Sequence, residues 1–451
     1  MGHRDRPPRN KERTSPRITG DGAEVTVRVR GLAYGGDGVG EVIDDAVVTD
    51  LAGITAFVPF TAPGETVRAR VTETKPRYLK AELSEVLAPA DERAQPPCPI
   101  FGECGGCQLQ HLEYTAQLRE KSAMLKGALA AAKLPAEVVL ALKPIIPSPP
   151  YGYRRRITLH LTRDGQIGYY RRGSRTVVPT VACPIAVLRI NESLLPAQLF
   201  AAAAAGIAGS VVLDADDEGT VAVIRCAGDV SSASLTTLID LAKRHFNDML
   251  ITVEEREIAK RGRTTLQLKL DEQGSLRLAA PAGAFSQVNA EVNRALIAEV
   301  VRLANASEQR TVYDLYAGAG NFSLPLAAQG AHVVAVESHR GLARLGSETA
   351  LANGLPNLQF VNISVERFLR EMPPASADVI VADPPRSGLG AIAGALSFGR
   401  NLILISCHMT SFIKDTQALM SAGWKIREVI PFDMFPQTSY LEILSFFQRS
   451  D

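Results

Sequence analysis

Long apolar runs are missing from this sequence. No stretch approaches the ~18 consecutive apolar residues a membrane-spanning helix requires, so a membrane-embedded protein is not expected. An excess of charge of one sign is missing as well. The 49 Lys and Arg against 48 Asp and Glu leave a formal net charge of +1, which points neither toward nor away from nucleic acid. Cysteine is sparse, at six residues in the chain. The amino terminus, Met1-Gly-His-Arg-Asp-Arg-Pro-Pro-Arg9, is basic and has no apolar core, so it does not read as a secretory signal. Reduced cysteines and a cytoplasmic, monomeric protein are therefore expected. Internal repeats are also lacking.

What is present is ordinary in bulk and informative in distribution. Hydrophobic residues at 46% and charged residues at 22% suit a globular protein, and 451 residues exceed what one hydrophobic core organises, so about two to four domains are expected. Residues 1–20 carry six Arg and Lys against two acids, without periodicity, and read as a disordered basic arm. Residues 151–175 carry seven Arg against one Asp, interleaved with Tyr151, Tyr153, Tyr169 and Tyr170. Arginine beside aromatics suits phosphate contact and base stacking, and a solvated basic face is the plainer alternative.

From Val25 the sequence alternates strictly, with Val25, Val27 and Val29 against Thr26, Arg28 and Arg30. This predicts a half-buried strand leading into the glycine-rich stretch Gly31–Gly40 and a small β-barrel of short strands ending near Val86. A cysteine-rich segment, a helix from about Tyr114 to Leu134 and a mixed α+β region follow. Beyond Phe285 an amphipathic helix gives way to short apolar runs alternating with helical segments: Thr311–Leu315, His332–Val336, Leu358–Asn362, Asp378–Ala382 and Asn401–Ser406. That alternation predicts a parallel, doubly wound sheet. Two last strands, near Ile426–Pro431 and Leu441–Phe447, are joined too briefly for a crossover helix and are expected to pair antiparallel at one edge.

The stretch Asp314-Leu-Tyr-Ala-Gly318-Ala-Gly320-Asn321 ends one strand and opens a helix, and Glu337 closes the next strand. Glycines admit a ligand close to the backbone, and an acid ending the second strand can take two ribose hydroxyls. A packing turn without ligand is the plain alternative. Because the loop reads Gly-x-Gly-x-x-Ser, without the third glycine of the dinucleotide fingerprint, it favours S-adenosylmethionine. Asp383-Pro-Pro-Arg386 follows the fourth strand, Ser406-Cys407 the fifth, and Glu442 opens the last. A thiolate, a carboxylate and a methyl donor on one rim suit methylation of uracil at carbon 5. That carbon becomes nucleophilic only after a thiolate adds to carbon 6, and a base must then remove its proton.

These residues carry a resemblance. Phe285-Ser-Gln-Val-Asn289, the Asp314–Asn321 loop, Asp383-Pro-Pro-Arg386, Ser406-Cys407 and Phe435-Pro-x-Thr with Glu442 closely resemble the motifs of the uracil-C5 RNA methyltransferases. The amino-terminal barrel looks like that family's TRAM module, an OB-like RNA-binding barrel. The resemblance implies Cys407 as nucleophile, Glu442 as base, and Gln287, Tyr316, Asn321, Glu337 and Asp383 around the cofactor. In two places the sequence departs: His408-Met409 follow the cysteine where the family has Asn or Asp and then Pro, and Ser364 stands where an Asn is common.

Four cysteines remain besides Cys407 and Cys226. Cys98-x5-Cys104-x2-Cys107 with a distant Cys183 can hold zinc or an iron–sulfur cluster, though structural zinc sites usually bring two close pairs. The segment Cys98–His111 is similar to the family's cluster-binding segment, which implies a [4Fe-4S] cluster on Cys98, Cys104, Cys107 and Cys183. Barrel and cluster together look most like the subgroup acting on large-subunit ribosomal RNA.

The expectation is thus a multidomain α/β protein: an arm at 1–20, a TRAM-like barrel at 21–87, a central α+β RNA-binding domain with the Fe–S site at 88–283, and a Rossmann-like class I methyltransferase domain at 284–451. RNA is the expected partner, rRNA ahead of tRNA. A methyltransferase for an exocyclic nitrogen is one rival reading, although such enzymes need no cysteine. A non-catalytic RNA-binding or assembly factor on the same fold is a second, and a nicotinamide dehydrogenase a distant third.

Overall fold

A computed structural model describes residues 22–43, 51–207, 209–226 and 231–449. The expected basic arm lies outside the described residues. Contacts divide the chain into two compact units, residues 1–94 and 95–451. The expected division at 283/284 thus falls inside the second unit.

In the first unit, β1 (Glu24–Leu32), β2 (Gly38–Val42), β3 (Thr55–Val58), β4 (Thr66–Lys75) and β5 (Tyr78–Ala88) close into a barrel of order β1-β2-β3-β5-β4. The alternation works as read: Val25, Val27 and Val29 are buried, while Arg28 and Arg30 face outward. Gly40 permits close strand pairing, because a Cβ there would collide with the Arg28 carbonyl. Inside, the carboxylate of Glu65 caps the Ala62 amide at 2.7 Å and takes the Arg93 guanidinium.

The second unit holds two seven-stranded sheets and a hairpin. The central sheet comprises β6 (Arg156–Leu161), β7 (Ile167–Tyr170), β8 (Val177–Pro179), β9 (Gly209–Ala215), β10 (Thr220–Cys226), β11 (Asp248–Val253) and β12 (Arg256–Arg261), in the order β12-β11-β10-β9-β6-β7-β8. The helices Leu194–Ala203 and Ser232–His245 cover it through Phe200, Leu238 and Ala242. Cys226 is buried in this apolar layer, where it serves as filler. The hairpin of β13 (Thr265–Lys269) and β14 (Arg277–Pro281) packs into the core of the second sheet.

That second sheet is built from β15 (Thr311–Leu315), β16 (His332–Glu337), β17 (Leu358–Asn362), β18 (Ala377–Ala382), β19 (Gly399–Ser406), β20 (Trp424–Phe432) and β21 (Glu442–Arg449), in the order β17-β16-β15-β18-β19-β21-β20. Its apolar runs match those read in the sequence because central strands of a parallel sheet are covered on both faces. β15 and β18 are both wholly covered at Val312, Val379, Ile380 and Val381. The last two strands do pair antiparallel, but β21 slots between β19 and β20, leaving β20 at the edge. The amphipathic helix Ala290–Ala304 buries Val292, Leu296, Ile297 and Val300, starts on an Asn289 side-chain cap and stops at left-handed Asn305. Among the described residues no helix is long and apolar enough to cross a membrane.

Candidate active site

One reversal of strand direction assembles the rim. β21 runs against both of its neighbours, whereas the pairings among β15 to β19 are parallel. The carboxyl ends of β15, β16, β18, β19 and β20 and the amino end of β21 therefore share one edge. Ligands of such sheets bind at that edge where the strand order reverses, here between β15 and β18.

Gln287, Tyr316, Asn321 and Asp383 line a single narrow cleft at this place, with Gly318, Phe285 and Arg155. Glu337 joins them through its carboxylate, which accepts the Gly318 amide at 2.9 Å and the His339 amide at 2.6 Å. Gly318 and Gly320 take φ of +58° and +107°, and Tyr316 holds a left-handed φ of +63°, so the loop keeps a backbone that L-residues rarely adopt. Asn321 is locked by a reciprocal amide pair with Asn293, at 2.9 and 3.0 Å.

The thiol lies beside this cleft. Ser406 pairs with Ile443 and Phe432 pairs with Glu442. Continuing the first register by one step sets Cys407 opposite Glu442, so the buried carboxyl is flanked by the half-buried thiol and by the end of β20. Opposed residues of antiparallel strands have Cα atoms about 4.5–5.5 Å apart.

The sequence and fold place the chain among known proteins. A family model described as tRNA (Uracil-5-)-methyltransferase matches residues 233–450, and a TRAM domain model matches residues 20–84. The 23S rRNA (uracil(1939)-C(5))-methyltransferase RlmD of Pectobacterium atrosepticum is 31% identical over 408 residues, covering 88% of this chain and 89% of that protein. The chain belongs to the S-adenosylmethionine-dependent uracil-C5 RNA methyltransferases. The crystal structure of the Pyrococcus abyssi tRNA (uracil-54, C5)-methyltransferase with S-adenosyl-L-homocysteine shares the fold, with a TM-score of 0.69 at 22% identity, covering 93% of this chain and 99% of that one.

For a methyltransferase of this family the electrostatics of the rim are telling. Burial pushes the Asp383 carboxyl up to about 7, and nearby Asp314 adds to the rise. Asp314 also stands at about 7, again through burial, although Ser323 Oγ donates to its Oδ2 at 2.5 Å. Burial and Asp383 raise Glu442 well above the usual carboxyl range. The Cys407 thiol is pushed up to about 11 by burial, then by Glu442 and Asp383, against the pull of the Arg386 guanidinium. Asp314 Oδ1 and Ser406 Oγ are buried without a partner among the described residues. Asp383 on the cleft wall and the Glu337 carboxylate on the Gly318 amide suit a cationic ligand bearing hydroxyls and amines, as S-adenosylmethionine is.

The four remaining cysteines come together. Cys98, Cys104, Cys107 and Cys183 line one cavity of about 240 Å³, walled by Phe101, Ile157, Tyr169 and Ile185. Burial and neighbouring thiols raise Cys104 to about 11 and Cys107 to about 12, so these sulfurs stay protonated unless a cation replaces the proton. Among the described residues no three His, Cys, Asp or Glu side chains converge closely enough for a single metal ion. Four thiols around one cavity are a donor set that zinc and iron–sulfur clusters both use.

Several expectations change. The arginines of Arg154–Arg156 were expected on the RNA face, yet Arg155 is buried and donates from Nε to the Gln287 carbonyl at 2.9 Å. Arg156 reaches the Ala284 and Ser286 carbonyls. Both therefore hold the 284–287 segment that lines the cleft. Arg171 and Arg175 remain exposed. Ser364 caps the helix Val365–Glu371 by accepting the Arg367 amide at 3.3 Å, which accounts for a short hydroxyl there. His408 stands at the N-cap position of the helix Met409–Ser421, so the turn after Cys407 enters a helix without needing Pro. Lys121 and Asp433, which carry no role in the sequence motifs, form a wholly buried ion pair at 2.5 Å. Its signal was present: Gln117, Lys121, Met124 and Leu125 share the buried stripe of the helix Tyr114–Ala131.

Proposed function

We propose that this enzyme methylates carbon 5 of a uridine in large-subunit ribosomal RNA, acting as a cytoplasmic monomer, with Cys407 as nucleophile and Glu442 as base. The observation that carries this reading is the register that sets Cys407 opposite Glu442, beside Asp383, on the edge next to the cofactor cleft. Similarity to a 23S rRNA enzyme over most of the chain supports the choice of ribosomal RNA.

S-adenosylmethionine supplies an electrophilic methyl group when bound. Gln287, Tyr316, Asn321, Glu337 and Asp383 hold it in the cleft. The target uridine leaves its stack, at a cost of a few kcal/mol. Phe285, 73% exposed, stands at the cleft to stack against it. Cys407 gives up its proton to water and its sulfur bonds to carbon 6; the C5–C6 π pair moves onto carbon 5, which takes the methyl group from the sulfonium. Glu442 acts in its ionised form, and the burial that raises its proton affinity makes it a stronger base: after methylation it takes the proton from carbon 5, the ring double bond re-forms, and the Cys407 sulfur departs as thiolate.

Cys98, Cys104, Cys107 and Cys183 would hold a [4Fe-4S] cluster, which binds the 104–107 loop to the central sheet. Methyl transfer needs no electron from it. In this division of labour residues 21–87 and 88–283 grip RNA and residues 284–451 perform the transfer. The basic arm at 1–20 adds charge for RNA.

The test is to map 5-methyluridine in cellular RNA with and without this gene, complemented by wild type, Cys407→Ala or Glu442→Gln. Loss of a 5-methyluridine from large-subunit rRNA, restored only by wild type, supports the proposal. Loss from tRNA instead would reassign the substrate, and restoration by Cys407→Ala would overturn the mechanism.

A further inference from the structure

The loop between β20 and β21, residues 433–441, delivers Glu442, and strand pairing begins only at Glu442 itself. Upstream of that pair, other elements must fix the backbone. The loop is nevertheless buried: Asp433, Met434, Gln437 and Ser439 are each at most 1% exposed. Gln437 carries a left-handed φ of +67°, which a non-glycine residue keeps only when its surroundings impose it.

The surroundings come from a segment far away in sequence. Lys121 Nζ donates to Asp433 Oδ1 at 2.5 Å, to the Phe435 carbonyl at 3.2 Å and to the Tyr440 carbonyl at 3.3 Å. One ammonium thus ties the entry, the middle and the exit of the loop. Tyr114 donates its hydroxyl to Asp433 Oδ2 at 2.9 Å. Gln117 and Gln437 exchange bonds: Gln117 Nε2 donates to Gln437 Oε1 at 2.9 Å, and the Gln437 amide donates to Gln117 Oε1 at 3.1 Å. The Gln437 carbonyl accepts the amides of Gln108 and Leu109, directly after Cys107, at 2.9 and 3.0 Å. Lys121 has no exposed surface, so it cannot touch an RNA phosphate. Replacing such a pair by apolar side chains is often neutral or favourable for stability, so its retention calls for another reason.

We propose that Lys121, backed by Gln117, is a positioning residue for methyl transfer: it clamps the loop that aims Glu442, so proton removal from carbon 5 depends on a helix outside the methyltransferase sheet. This rests on the reading of Glu442 as base. Cys407 leaves β19 and Asp383 leaves β18, and the bonds of the clamp reach neither. Loosening the clamp therefore spares sulfur addition and methylation and slows the final step. In that step the C5–H bond breaks, its proton goes to Glu442, its electron pair restores the C5–C6 double bond, and the C6–S bond breaks.

The experiment uses the full-length enzyme with S-adenosylmethionine and ribosomal RNA from cells lacking it. Turnover, and protein–RNA adduct surviving denaturing electrophoresis, are read together. Lys121→Met is expected to accumulate the methylated adduct and to lose on the order of a hundredfold in kcat, as a misplacement of about an ångström does, while its affinity for S-adenosylmethionine is unchanged. The apolar pair Lys121→Met/Asp433→Leu guards against simple unfolding and should melt near the wild-type temperature yet trap adduct. Gln117→Leu should do so more weakly. Folded variants that turn over like wild type without adduct would overturn the proposal. Should both Lys121 variants fail to fold, Gln117→Leu decides by the same readout. Glu442→Gln separates the two readings. If it accumulates adduct and the clamp variants do not, the clamp alone fails; if it accumulates none, the base assignment fails and the clamp falls with it.

Discussion

The ionisation of Cys407 offers the sharpest quantitative prediction. Burial, then Glu442 and Asp383, lift its thiol from the ordinary value near 9 to about 11, with Arg386 pulling the other way. A rise of that size leaves about a hundredfold less thiolate at neutral pH than an exposed cysteine has, since ionisation below the pKa changes tenfold per pH unit. In cofactor-free enzyme, alkylation of Cys407 by iodoacetamide, followed by mass spectrometry of its peptide, should climb about tenfold per pH unit from 7 to 9 without a plateau. The sign follows from the chemistry: the thiolate reacts, and its population grows as pH approaches the raised pKa from below. Glu442→Gln removes a carboxyl that opposes the thiolate and should speed alkylation at pH 8. Because burial is the largest cause, the gain should stay under about tenfold. Arg386→Met removes the opposing cation and should slow it. A plateau below pH 8.5, or faster alkylation in Arg386→Met, would refute the reasoning.

Four further outcomes are expected. Lys121→Met alone should cost about 3–5 kcal/mol in denaturant unfolding because the buried Asp433 charge loses its cation, whereas Lys121→Met/Asp433→Leu should restore most of that loss. Cys107→Ser should lower bound iron measured by elemental analysis and speed amide exchange across residues 433–441, since the Gln108 and Leu109 amides hold Gln437. Arg175→Gln should weaken RNA binding and reduce the salt slope of log affinity by about 0.9 if that exposed side chain meets a phosphate. Gly346→Ala should destabilise the sheet by about 1–3 kcal/mol, because its Cβ would run into the Phe360 ring.

Much of the architecture was legible because each feature rests on local physics. Valines alternating at period two mark the barrel, and apolar runs between helices mark the parallel sheet, since strands covered on both faces have no polar side. The rim followed from position alone: a residue just past a parallel strand must reach the ligand edge. Lys121 and Asp433 were not legible because they are separated by 312 positions, and nothing near either one announces the other. A lysine on the buried stripe of a helix was the available sign, since a buried ammonium needs a partner somewhere. Arg155 and Arg156 misled for a related reason. Arginines beside tyrosines announce affinity for acceptors, and here the acceptors are carbonyls of Ala284, Ser286 and Gln287.

The most direct measurement is mass spectrometry of the complex formed with RNA containing 5-fluorouridine, in which fluorine at carbon 5 cannot leave as a proton does. The predicted result is one covalent RNA adduct per chain, located on the peptide containing Cys407 and formed only when S-adenosylmethionine is present. A stable adduct on any other cysteine, or methylated RNA released with no adduct at all, would contradict the account.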